Sequence, residues 1–135
     1  MKKFLVAVFA GLAPVTAAAH GALAIGLPQS VEHEGFAYGV TWDFPNVSEA
    51  AERAMKRCRE ENVPAKEHCR VLRSFARECV AIAIDPAPGT PGVGWGIGPT
   101  REAASATATK MCHDTAGESR RAYCTVSNVE CDTRP

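Results

Sequence analysis

Six cysteines, Cys58, Cys69, Cys79, Cys112, Cys124 and Cys131, are the residues of this 135-residue chain whose chemistry is most tightly set by spacing. Their successive gaps are 11, 10, 33, 12 and 7 positions. No pair has the short separation of a zinc knuckle, and no Cys-x-x-Cys redox motif is present. An even number of cysteines behind an export signal reads instead as disulfides, although six cysteines allow 15 connectivities.

The remaining reactive side chains form no constellation. His33, His68 and His113 are scattered without i, i+3 or i+4 pairing, and His20 gains an amine beside its imidazole only if the chain is cut before it. Surface histidine is therefore the expectation, and no metal site is assigned. Glu32 and Glu34 flank His33 in a loop-like spacer, while Glu60 and Glu61 end the first helix; loop carboxylates lack the burial that tunes a catalytic pKa. Neither a Gly-x-Ser-x-Gly elbow nor a His-Glu-x-x-His motif occurs, so no catalytic or cofactor-binding residue is assigned. Gly92, Gly94, Gly96 and Gly98 precede a helix start at Thr100, where anions can bind. Their every-second-residue spacing is not a dinucleotide fingerprint; it makes a bare strip of strand backbone against which an aromatic ring or a second chain would pack.

Charge narrows the partners. Fifteen basic and fifteen acidic residues give a formal charge of zero, without the cationic excess that nucleic acid or an anionic membrane demands. Arg53 to Arg77 is rich in Lys and Arg but interleaved with Glu52, Glu60, Glu61 and Glu67, the composition of a solvated face. Trp42, Trp95, Phe36, Tyr38, Phe44 and Phe75 are read as core.

The elements that position these residues begin after an address. Met1 to Lys3 is a positive start, Phe4 to Ala13 is apolar but too short to span a bilayer, and Ala17 and Ala19 fit the positions that signal peptidase reads. Residues 1–19 are thus expected to be a signal peptide cut after Ala19, with no membrane insertion afterwards. Lys2 and Lys3 leave with it and no acidic residue does, so the exported chain carries a formal charge of −2.

A duplication organises the exported part. Ala22-Leu23-Ala24-Ile25 reappears as Ala81-Ile82-Ala83-Ile84, and Pro45-Asn46-Val47-Ser48-Glu49-Ala50-Ala51 aligns with Pro99-Thr100-Arg101-Glu102-Ala103-Ala104-Ser105. Thirteen residues past each proline stands Cys58 or Cys112, and each helix is followed by a cysteine opening a strand-like run, Cys69-Arg70-Val71-Leu72 or Cys124-Thr125-Val126. Asn46 and Thr100 are N-caps by type. Val47, Ala50, Ala54 and Cys58 recur at helical spacing, as do Ala104, Ala108, Met111 and Thr115. Relative to the prolines, Trp42 and Trp95 are out of register by one. If both copies fold alike, Cys58 pairs with Cys69 and Cys112 with Cys124, which leaves Cys79 with Cys131 to join the two halves.

This order of elements, with Gly94-Trp95-Gly96-Ile97-Gly98-Pro99-Thr100-Arg101-Glu102-Ala103, resembles the bacterial family catalogued as domain of unknown function 4189, from Gly21 to Cys131. The resemblance implies a small α+β domain of two related units in secreted or periplasmic proteins, and brings no catalytic residues with it. The chain departs from the pattern in its long, charged spacer Pro28 to Gly35 and at Arg73. The expected architecture is therefore one disulfide-stapled α+β domain, residues 20–135, of two tandem β-β-α-β units at about 20–78 and 79–135. Its expected role is protein-surface recognition, as a binding or inhibitor-like module in the periplasm or outside the cell, with an unidentified protein partner and no cofactor. The other roles weighed are a secreted effector or hydrolase whose site is assembled between the repeats, and a structural envelope component.

Overall fold

The computed structural model describes Gly11 and residues 19–132; the remainder of the expected signal peptide lies outside the described residues. Within them the β-β-α-β order occurs twice. The first unit comprises β1 (His20–Gly26), a short helix α1 (Val31–Glu34), β2 (Ala37–Phe44), α2 (Val47–Arg59) and β3 (Cys69–Phe75). The second comprises β4 (Cys79–Ile84), β5 (Val93–Gly98), α3 (Arg101–Ala116) and β6 (Thr125–Cys131), and a 3-10 turn precedes the last strand of each unit. Each unit makes one antiparallel sheet, in the orders β2-β1-β3 and β5-β4-β6.

Side-chain alternation along the two central strands builds four layers. Ala22 and Ala24 of β1 face α2, and Ala81 and Ala83 of β4 face α3. Their neighbours Leu23, Ile25, Val80 and Ile82 turn the other way and meet between the sheets, with Val40 and Phe75, in the apolar core that joins the halves. Small residues thus face the helices and large ones face the opposite sheet. At ~25 cal/mol per Å² of buried apolar surface, each large side chain of the sheet-to-sheet layer contributes more than an alanine facing a helix.

Asn46 Oδ1 accepts from Glu49 N at 2.9 Å and Thr100 Oγ1 from Ala103 N at 3.1 Å, which starts both helices where the capping residues stand. The buried faces are narrower than the apolar spacing suggests: Ala50, Ala54 and Cys58 in α2, and Ala104, Ala108, Cys112 and Ala116 in α3. Val47 lies 46% exposed. The strip of glycines accounts for the narrowness. A Cβ on Gly39 would run into Ala54 O, and one on Gly94 into Ala108 O and, at 2.6 Å, Cys112 N. What packs on the bare strand is therefore each unit's own helix backbone, in place of the aromatic ring or second chain expected from the spacing.

Three disulfides close the frame: Cys58–Cys69, Cys112–Cys124 and Cys79–Cys131. The first two are equivalent, each tying a helix to the strand run after it. The third does not join the halves as expected. Cys79 and Cys131 are register partners on β4 and β6, both in the second sheet. In the first unit the place of Cys79 falls to His20, as the match of Ala22 with Ala81 requires.

Ladder pairing also separates the tryptophans further. Val40 opposite Leu23 corresponds to Trp95 opposite Ile82, so Trp42 lies two positions from equivalence, not one. The extra residue sits in β2 between Thr41 and Phe44, where Asp43 turns through φ 62°. Arg73 does not end β3; a register shift beside it leaves Leu72 outside the ladder, and its guanidinium pairs with Glu78 at 3.1 Å. β6 carries the same irregularity at Ser127.

Candidate functional site

The two β-β connections occupy equivalent places in the two units, and the structure brings them together. The long spacer of the first unit supplies Val31, Gly35 and Phe36; the loop between β4 and β5 supplies Ala87 to Thr90. Between them opens a cleft of about 310 Å³, completed by Tyr38, Glu61 and Asp85. Gly89, at φ 74°, lets the loop turn back so that its tip approaches the Glu32 carbonyl.

Each wall is fixed by what lies behind it. Phe36 stacks on Tyr38 with ring centroids 5.8 Å apart, and on Trp95 across the sheets at 6.1 Å. On the other side, the Asp85 side chain is fully buried and takes two hydrogen bonds from Arg120, at 2.7 and 2.9 Å, and one from Ala87 N at 3.1 Å. The Arg120 guanidinium lies 4.1 Å over the Tyr123 ring. Its hydrogen bonds hold the Asp85 carboxyl below the ordinary aspartate range, against the opposing effect of burial. That stabilisation is present above the unfolded-state pKa and is lost as pH falls through the lowered folded one. Arg120→Ala is accordingly expected to lower Tm clearly at pH 7 and progressively less below pH ~4, in a melting series across that range.

Glu61 differs. Among the described residues its carboxylate has no hydrogen-bond or ion-pair partner, and burial raises its pKa above the ordinary glutamate value. It follows the C-terminal end of α2, whose dipole also disfavours a negative charge. The expectation of a solvated loop carboxylate is thus corrected. No local signal marks Glu61, because the segments that cover it are distant in sequence. Replacing it with glutamine should raise Tm at pH 7 by about 1–3 °C, since the charged form is the penalised one. The gain should vanish as pH falls below the ordinary glutamate range, where folded and unfolded forms are both protonated.

The histidines stay apart. His33 Nδ1 lies 2.6 Å from Ser30 Oγ, and His68 pairs with Glu34 at 3.5 Å. No group of three or more potential metal ligands occurs among the described residues. A wider depression of about 510 Å³ lies between α2 and β3, lined by Ala51, Met55 and Val71 together with Glu52, Lys56, Arg59 and Glu60. Arg57 lies over Trp42 at 5.4 Å and donates to the Val40 carbonyl, which covers part of the β2 edge.

Fold and cleft together define a class: a disulfide-stapled α+β domain of two β-β-α-β units with a cleft between their equivalent connections. The chain belongs to the family described as Domain of unknown function (DUF4189), whose model matches residues 20–131. No curated protein and no solved structure matches it significantly. No helix among the described residues is long and apolar enough to cross a membrane.

Proposed function

We propose that this chain is a binding module that recognises a protein outside the cytoplasm through the cleft between its units. The observation that carries this reading is the cleft's construction. Its walls are two connections whose ends are held by separately stapled sheets, so little conformational freedom remains to be lost on binding. Phe36 and Tyr38 in the lining supply the aromatic residue types that protein-recognition surfaces favour. Three disulfides suit an oxidising compartment, which supports export.

The test is affinity capture with the oxidised chain beginning at His20, tagged at its C-terminus, from periplasmic and culture fractions. A protein retained in stoichiometric amount, and lost when the cleft is narrowed by Ala87→Trp, is the expected result. Turnover of cell-wall or peptide substrates by the purified chain would replace this reading with that of a secreted hydrolase. Retention that is indifferent to the cleft would favour a structural envelope component.

A further inference from the structure

The cleft also indicates what kind of group enters it. Its lining contains two carboxylates and no Lys or Arg, and only Asp85 is balanced, by Arg120 behind the wall. Glu61 is left facing the cleft without a partner among the described residues. Phe36 and Tyr38 line the same cleft, and their stacked arrangement keeps the rings in place.

A partly desolvated carboxylate beside aromatic faces disfavours anions and gives neutral ligands little, but suits a cation on an apolar stem. The stem covers the rings, the positive group meets the carboxylate, and a planar guanidinium does both better than an ammonium because it stacks and bonds through two nitrogens at once. A volume of about 310 Å³ is at the lower limit of ligand cavities and suits one long side chain rather than an extended small molecule.

We propose that the cleft is a receptor for an arginine side chain of a partner polypeptide, with Glu61 as the anion and Phe36 and Tyr38 as the stacking surface. The inference rests on the binding-module reading and names its partner chemistry. It explains why a carboxylate that stabilises nothing in the free protein occupies this position: the charge that completes it arrives with the partner, and pairing then offsets the desolvation already incurred.

The test uses the oxidised chain beginning at His20 and three probes at pH 7 in ~0.1 M salt: the peptide Ala-Ala-Arg-Ala-Ala with blocked ends, its citrulline counterpart, and free spermidine. Calorimetry and NMR shifts of the Phe36 and Tyr38 rings are read together. Arginine-peptide binding weakened at least tenfold by the citrulline exchange, and by the same factor in Glu61→Gln, supports the proposal. Because Glu61→Gln removes no internal contact, its unfolding should stay cooperative and its ring stacking native, which keeps loss of binding distinct from loss of fold. Equal binding of the arginine and citrulline peptides, tighter binding of spermidine than of the peptide, no binding of any probe, or full affinity in Glu61→Gln would each overturn it. If Glu61→Gln still retains the captured protein while Ala87→Trp does not, the arginine site fails and the binding-module reading stands; if neither change matters to capture, both fail.

Discussion

Gly94→Ala is expected to destabilise the protein by more than about 3 kcal/mol, one of the largest effects of any single methyl group in the chain. The added carbon would fall on the backbone of α3, at Ala108 O and at 2.6 Å from Cys112 N, with Met111 Cβ at 3.0 Å. Backbone cannot change rotamer to make room. Nor can the helix simply move outward, because Cys112 is tethered to Cys124 and Thr115 Oγ1 both accepts from Val93 N at 2.9 Å and donates to Val93 O at 2.8 Å. Gly117→Ala is the control: it meets nothing within 4 Å and carries only the cost of a backbone conformation at φ 80° and ψ 169° that favours glycine, about 1–3 kcal/mol. Urea midpoints at unchanged slope would separate the two. Equal effects would mean that helix and sheet can part without penalty.

The second large effect concerns the bridge that is not duplicated. Removing Cys79–Cys131 by paired serine substitution should cost about 4 kcal/mol, against about 3 for Cys58–Cys69 or Cys112–Cys124, in the chain-entropy estimate. The difference follows from loop size, since the sequence separations are 52, 11 and 12. It also has a location. The carboxyl end of β6 loses its tether to β4, while its start keeps the neighbouring Cys124 bridge. Amide exchange in the doubly substituted chain should therefore accelerate first at residues 128–131. Faster exchange in β3 instead would contradict this account.

Much of this frame is legible in the residues because duplication displays each signal twice. The capping types at Asn46 and Thr100, the matched cysteines after them and the repeated Ala-x-Ala strands require no long-range information. The rest is set by contacts across the chain. The location of Cys79–Cys131 depends on which strands neighbour β4, and matching positions in a repeat do not reveal that. Trp42 is displaced by an insertion absorbed at Asp43, a local event visible only against β1. The glycine strip is recognisable as bare backbone, but its complement is the alanine-lined helix beside it and not an aromatic ring. Glu61 becomes half-buried through the spacer and the β4–β5 loop, neither of which touches it in sequence.

With every bridge internal to one unit, the two halves are connected covalently only by the peptide segment from Phe75 to Cys79. Ala76 and Arg77 in that segment are exposed, and Arg77 adopts φ 56°. A single proteolytic cut after Arg77 would thus convert one chain into two separately cross-linked fragments, held as a heterodimer by the apolar seam of Leu23, Ile25, Val80 and Ile82. Such a pair would separate in denaturant with no reductant present and re-form on dilution. In this molecule, oxidation makes two durable parts, and contacts across the seam, chiefly apolar and joined by the Arg73–Glu78 pair, make them one.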